Sequence, residues 1–404
     1  MALKYIVIDS TIGRNEEDLK ILEEISTNGA FDDKELLLLQ FTKSNNKVKD
    51  LLGDFSNLEV IELENKANSS DIKSIFQHFS EIEGKNVDSF KDKIKLGKQI
   101  LYLDAVSNSF IRRFESNQEC PGFWNLAIGT FCRHSCTYCF LNLTMRIRPL
   151  CIEHVNLSRL KNNLKRFNKK HGHINALLNA GETSDPLDNE PMLHLWNKVV
   201  EIVRDSGNQL LCLTKSNNID SILESDGDEL ANSVIYSWSV NPQPIVRRYE
   251  PNTASTLERL KAAQKLKDLG YRIRFRVDPI LPVQFMKELS DGIELSLKDI
   301  DLEDYYTLID KFSEIGPEMI TFGTFRALPP LFNFLSDKTF KKQHLKKNGK
   351  RFRIPKEFRH HIYEQLGKYS HNSLSCHIAI CKDPTINLNF STLKVPCQCM
   401  KLID

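Results

Sequence analysis

Apolar residues fall in short runs separated by polar stretches with helical spacing, the pattern of strands alternating with helices. Near the start, runs at 5–8, 36–41 and 58–63 predict strands, and the amphipathic stretches 15–25 and 70–79 between them predict helices. The four leucines at 36–39 suit a buried strand or a buried helical turn equally, because so short a run has no readable period. A polar, lysine-rich stretch at 81–98 separates this unit from the rest and predicts a boundary or a connecting helix.

From Trp124 onward the runs at 125–128, 175–179, 209–214, 234–240, 271–277 and 318–323 predict six strands. Helices are predicted between them at 189–205, 255–269 and 302–315, with Ser255 as an N-cap. Strand-then-helix repetition of this kind implies an α/β fold in which a parallel sheet curls into a partial (β/α)6 barrel, with its site at the carboxyl ends of the strands. The domains read as a small α/β region over 1–115, the barrel over 116–328, and a tail over 329–404 that holds a basic loop, a helix at 356–369 and a Cys-rich extension.

Composition excludes several classes. Of 404 residues, 41% are apolar and 27% charged, which rules against a disordered or fibrous chain. Lys and Arg number 55 against 53 acids, so any nucleic-acid surface must be local rather than a general positive field. No run approaches the roughly 18 to 20 apolar residues of a membrane span, and no signal peptide is visible, so a cytoplasmic protein with no membrane partner is expected. The ten cysteines are bunched rather than spread as a disulfide framework would be, which points to metal in a reducing compartment.

Cys132, Cys136 and Cys139 have the spacing C-x3-C-x2-C directly after the first barrel strand. Three thiolates on one loop can hold three irons of a 4Fe–4S cubane and leave the fourth open to a substrate or cofactor. The alternative is a zinc ion completed by His134 or a distant ligand, although zinc motifs favour paired cysteines. Downstream, Leu211, Leu213 and Lys215 share one face of their strand, while Cys212 points the other way as inert packing.

This cysteine pattern is the signature of radical S-adenosylmethionine enzymes, and the chain from about residue 83 to 353 resembles the spore photoproduct lyases among them. The likeness rests on the Ala-Ile-Gly-Thr-Phe-Cys lead-in, Thr183-Ser184-Asp185, Leu213-Thr214-Lys215, Ser237-Trp238-Ser239-Val240-Asn241-Pro242, Arg247-Arg248-Tyr249-Glu250 and Leu257-Glu258-Arg259. The resemblance implies a 5′-deoxyadenosyl radical formed from S-adenosylmethionine at the 4Fe–4S cluster. It also implies cofactor contacts from Ser184, Asp185, Lys215, Ser239 and Asn241, and an electron donor such as flavodoxin or ferredoxin. Two positions depart from the family. Where the lyases carry the cysteine that returns a hydrogen atom to the substrate, this chain has Glu182, and where they carry a relay tyrosine after the third cluster cysteine it has Phe140. Glu182 and Tyr138 are the catalytic candidates, the carboxylate serving to orient a substrate group or act as a base.

In the tail, Cys376, Cys381, Cys397 and Cys399 are spaced C-x4-C-x15-C-x-C and are expected to hold a second iron–sulfur cluster or a zinc ion. Eight cations fall within 338–353, where the lyases carry a DNA-contacting hairpin, so Lys341, Lys342, Lys346, Lys347, Arg351 and Arg353 are the nucleic-acid candidates. Arg159, Lys161, Lys165, Arg166, Lys169 and Lys170 read instead as the exposed face of a helix. The expected function is radical repair or modification of a nucleic acid. The rivals are radical chemistry on a small molecule or peptide, and a non-catalytic iron–sulfur protein that binds nucleic acid.

Overall fold

The computed structural model describes residues 3–64, 70–114, 120–144, 148–225, 230–282, 296–297, 300–333, 345–348, 350–383 and 399–403. Its strands in chain order are β1 Tyr5–Asp9, β2 Glu35–Phe41, β3 Leu58–Leu63, β4 Ile100–Asp104, β5 Ile111–Phe114, β6 Phe123–Leu126, β7 Gly129–Thr130, β8 Cys151–His154 and β9 Leu177–Asn179. They continue with β10 Gln209–Thr214, β11 Val234–Ser239, β12 Arg272–Ile280, β13 Met319–Thr324, β14 Arg326–Ala327, β15 Lys346–Asn348, β16 Arg351–Arg353 and β17 His377–Ile380. Among the described residues, no helix is long and apolar enough to cross a membrane.

The first sheet has the order β3-β2-β1-β4-β8-β7. The four leucines at 36–39 form strand, because both faces of the sheet are covered. Leu36 and Leu38 join the core beneath helix Glu16–Thr27, and Leu37 and Leu39 pack with Phe76 and Phe79 of helix Ser70–Glu83. Asn15 starts the first of these helices by accepting from the N–H groups of Glu17 at 2.9 Å and Asp18 at 3.3 Å. β4, β7 and β8 escaped the sequence pattern, and the last two carry this sheet into the chain beyond residue 115. Gly97 and Gly129 mark the seam, since a Cβ on either would fall 1.6 Å from Pro149 O or 2.6 Å from Ile152 O.

The second sheet runs β17-β13-β12-β11-β10-β9-β6-β5, all parallel except β5 on β6. Its six central strands are the expected ones. β17, a seventh parallel strand, comes from the tail and pairs with β13 from Met319 to Phe322. The helix expected over 189–205 is two, Glu190–Leu193 and Trp196–Asp205, broken at His194, whose φ is 49°. Glu190 enforces the break by accepting from the N–H groups of Leu195 at 3.1 Å and Trp196 at 2.9 Å, which caps the second helix. Ser255 caps helix Thr256–Asp268 with Glu258 returning the bond, as the sequence implied.

The tail fills the curl of this sheet. Leu177, Leu211 and Ile235 point inward and meet Met400 and Leu402. Arg272 and Arg274, two residues apart on β12 and so on one face, hold the tail backbone. Arg274 donates to the carbonyls of Cys399 at 2.8 Å and Lys401 at 2.7 Å, Arg272 donates to that of Ile403 at 3.0 Å, and Glu318 pairs with both guanidiniums. Arg274→Ala should therefore lower stability by about 3 kcal/mol, because it removes charged hydrogen bonds and half of Glu318's pairing. Urea unfolding and limited proteolysis near residue 399 measure this, and an unshifted midpoint with an equally protected tail would show that the anchor is dispensable.

Candidate active site

The loop after β7 carries the three cysteines, and its backbone is tied down from four directions. Phe131 sits at φ 66°, an uncommon conformation for a residue with a side chain, and its N–H donates to Thr183 O at 2.6 Å. Thr183 Oγ1 returns a bond to Gly129 O at 2.9 Å. The N–H groups of Ser135 and Thr137 donate to Pro251 O and Tyr249 O, both at 2.9 Å. Arg133 N–H donates to Asp188 Oδ2 at 2.7 Å. Lys98, buried at the end of helix Phe90–Gly97 just before β4, donates to His134 O and to Ser135 Oγ at 3.2 Å, with its ammonium 5.0 Å from the Phe131 ring centre.

Burial pushes the thiols of Cys132, Cys136 and Cys139 up, and Cys132 also feels the other two. Lys98 and Lys215 act in the opposite sense on Cys139. Buried sulfurs beside ammonium groups are poised to ionise when a metal replaces the proton. Among the described residues, no three His, Cys, Asp or Glu side chains converge on a point that would hold a single metal ion. A cubane makes a different demand, giving each thiolate its own iron corner.

Glu250, fully buried, is the hub of the rim. Tyr138 OH donates to its Oε1, Asn241 Nδ2 does so at 2.9 Å and Lys215 Nζ at 3.4 Å, while Arg259 lies 2.7 Å from Oε2. Burial alone would raise this carboxyl, but Lys215, Arg259 and the hydrogen bonds bring it down to about 2. Arg259 NH1 also donates to Ser239 O at 2.8 Å, and Lys215 Nζ to Ser239 Oγ at 2.5 Å. Lys215, Ser239 and Asn241 thus meet at one rim, as their strand-end positions implied. The Tyr138 ring lies against Lys215, and its hydroxyl is pushed well up by burial and by Glu250.

Asp185 sits at this rim as expected but is engaged within the protein. Its Oδ1 accepts from Thr214 Oγ1 at 2.7 Å and Leu187 N–H at 3.1 Å, and its Oδ2 accepts from Lys215 N–H at 2.7 Å with His134 Nε2 at 3.3 Å. Its chief effect is to brace the cysteine loop against β10. Ser184 Oγ and Asn241 Oδ1 are the opposite case, buried polar atoms without a hydrogen-bond partner among the described residues, and they suit the hydroxyl or amine of a polar cofactor. Glu182 lies beside them, its carboxylate 4.0 Å from Lys382 Nζ of the tail.

Three expectations for the tail need correction or fall outside view. Cys376 and Cys381 flank opposite ends of β17, about 16 Å apart along an extended strand, so they cannot ligate one centre. Burial raises the Cys120 thiol, which also feels Cys399 and Cys381, but among the described residues these three do not form a group that could hold a metal ion, and Cys397 lies outside the described residues. Cys381 Sγ accepts from Arg276 NH2 at 2.7 Å, with Arg326 NH2 at 3.4 Å, and both guanidiniums pair with Asp278. Arg353 is not a free phosphate contact. It is 3% exposed, donates to Lys382 O at 2.8 Å and lies 3.9 Å from Asp383. β15 and β16 do form a hairpin, on which Lys347 is exposed and Arg351 half-buried; the Lys346 side chain, Lys341 and Lys342 lie outside the described residues.

Sequence reasoning gave no role to Glu250, Arg259 or Lys98. The first two stood inside quoted motifs, but no spacing announces that a carboxylate at 250 meets a tyrosine at 138.

Comparison with known proteins agrees with this geometry. Residues 112–304 match the family described as Spore photoproduct lyase. The chain is 27% identical over 185 residues to the spore photoproduct lyase of Geobacillus sp. (strain Y412MC61), covering 44% of this chain and 53% of that one. It is 25% identical over 156 residues to that of Bacillus subtilis (strain 168), covering 38% and 45%. These matches span about half the length of the relatives. A solved spore photoproduct lyase complexed with dinucleoside spore photoproduct superposes with a TM-score of 0.64 at 14% identity, covering 94% of this chain and 98% of that one, and so shares the fold. The match takes in the cysteine loop and most of the curled parallel sheet at whose rim it lies. Over that stretch the chain is similar to the spore photoproduct lyases.

Glu250→Gln should cost about 3 kcal/mol, since it strands the buried Arg259 charge. The depressed carboxyl contributes stability that is complete above about pH 5 and is lost as pH falls through the folded value near 2. Unfolding free energy measured from pH 6 to 2 should therefore fall less steeply in the variant, and equal slopes would remove Glu250 as the hub.

Proposed function

We propose that this protein is a radical S-adenosylmethionine enzyme acting on a nucleic acid by hydrogen-atom abstraction. The observation that carries this reading is the meeting of a loop bearing three cysteines, one buried and two half-buried, with Lys215, Ser239 and Asn241 around the charged Glu250. Cys132, Cys136 and Cys139 would hold a 4Fe–4S cluster, which would bind the methionyl end of the cofactor. When loaded, cluster and cofactor supply a 5′-deoxyadenosyl radical after an electron arrives from a donor such as flavodoxin or ferredoxin.

The chain's own work is binding and orientation. Lys215 offers its ammonium to the cofactor carboxylate, Ser184 and Asn241 offer their unpartnered atoms to ribose or amine, and Asp185 keeps the loop in place. Tyr138, bonded to Glu250, screens the rim from water. Glu182 orients a substrate hydroxyl or amine, and Lys382 tunes its field. Because a carboxylate cannot donate a hydrogen atom as a thiol does, the substrate or the donor differs from that of spore photoproduct cleavage; this residue is also what favours a small-molecule or peptide substrate as the second reading. A nucleic acid is preferred because a solved relative carries a dinucleoside photoproduct and because the hairpin bearing Lys347 and Arg351 stands in a run of eight cations.

Anaerobically reconstituted protein should release 5′-deoxyadenosine, and the Cys132→Ala, Cys136→Ala, Cys139→Ala triple variant should lose about four irons and that product. Glu182→Ala should preserve 5′-deoxyadenosine and impair substrate turnover, and normal levels of both would place the substrate elsewhere.

For the hairpin, Lys347→Ser should reduce the slope of log affinity for nucleic acid against log salt by about 0.7 to 0.9. An unaltered slope would leave that lysine merely solvated and move the reading toward a small molecule or peptide.

A further inference from the structure

The N-terminal sheet contains a chain reversal that the chemistry of the barrel does not use. From β1 the chain moves outward to β2 and β3, then crosses back and lays β4 on the other side of β1. Helices Glu16–Thr27 and Lys47–Leu52 cover one face, and Ser70–Glu83 covers the other. The connections leaving β1 and β4 therefore part at their carboxyl ends, where open parallel sheets leave a crevice suited to a ligand.

A cleft of about 390 Å³ lies there, within the range of small-molecule sites. It is lined by Arg14 after β1, Lys43 after β2, Ser107 after β4, and Asn162 and Arg166 from helix Leu157–His171. Its charge is not neutralised from within. The acids that open helix Glu16–Thr27 are already engaged: Glu16 pairs with Lys47, Glu17 with Lys161, and Asp18 accepts from Ser158 N–H at 3.0 Å and Oγ at 2.7 Å. Arg159 is likewise committed, donating to Asn108 O at 2.9 Å and to Ser107 O. Among the described residues, the side chains of Lys43 and Arg166 have no hydrogen-bond or ion-pair partner, and Arg14 reaches only Lys43 O at 3.4 Å. Glu64 is the one lining acid left to face these three cations.

We propose that this crevice binds a phosphate-bearing small molecule of mononucleotide size, with its phosphates held by Arg14, Lys43 and Arg166. Guanidinium groups match phosphate oxygens in paired hydrogen bonds, and Lys43 adds a point charge. Ser107 and Asn162 supply neutral donors, and Glu64 can accept from a sugar hydroxyl. The helix N-terminus is not the anchor, because Asn15 already caps it.

The test uses the full chain, with ADP and inorganic pyrophosphate as separate probes in titration calorimetry and thermal shift at low and moderate salt. Both probes should bind and raise the melting temperature. Arg166→Ser should weaken each about tenfold, the loss expected for one charged hydrogen-bonding partner. Lys169→Ser, on the same helix but outside the cleft, should leave affinity within about twofold, the scale of a screened surface charge. Ser107→Trp, which fills the cleft, should abolish binding, and the unliganded melting temperature of each variant shows that it is folded. The proposal is overturned if neither probe binds, if Lys169→Ser weakens binding as much as Arg166→Ser, or if ADP binding survives Ser107→Trp, which would put the nucleotide in the barrel.

Discussion

Everything at the rim depends on keeping one buried carboxylate charged. Glu250 has no water to solvate it, so its ionisation rests on Lys215, Arg259, Asn241 and Tyr138 being held at hydrogen-bonding distance. Those four partners come from the end of β10, the helix Thr256–Asp268, the segment after β11 and the cysteine loop. A single desolvated charge therefore fixes the relative positions of elements that are more than a hundred residues apart in sequence. Low local dielectric makes the arrangement all-or-none, since a missing partner leaves an uncompensated ion.

The same physics recurs along β12. Its alternate residues Arg272, Arg274, Arg276 and Asp278 face the inside of the curled sheet, where an ordinary strand would place aliphatic side chains. The first two hold the tail backbone, and the last two meet Arg326 and the Cys381 thiol. The tail thereby replaces the aliphatic filling of a closed barrel and brings Lys382 to Glu182.

The N-terminal sheet is more than an appendage. Lys98 extends from it to the backbone of the cysteine loop, and β7 and β8 pair within it although they flank that loop in sequence. The site is thus supported from two sheets. Spore photoproduct lyase-like architecture accounts for the barrel side, and a cleft lined by Arg14, Lys43 and Arg166 lies at the carboxyl ends of β1 and β4 in the other sheet.

Sequence alone determined whatever depends on neighbours in the chain. The strands from 209 to 240 follow from local apolar runs, the Ser255 cap from a local box, and the placing of Cys132, Cys136 and Cys139 on one loop from their spacing. The alternation that sets Leu211, Leu213 and Lys215 on one face is also local, and it held. Tertiary structure decided what depends on desolvation and on distant partners. It turned the leucines at 36–39 into a strand covered on both faces, broke a helix at His194 through the carboxylate of Glu190, and buried Arg353 against the tail. It also separated Cys376 from Cys381 by the length of β17 and chose Glu250 as the hub. Spacing encodes proximity only over a few residues, whereas a buried charge selects its partners from wherever the fold delivers them.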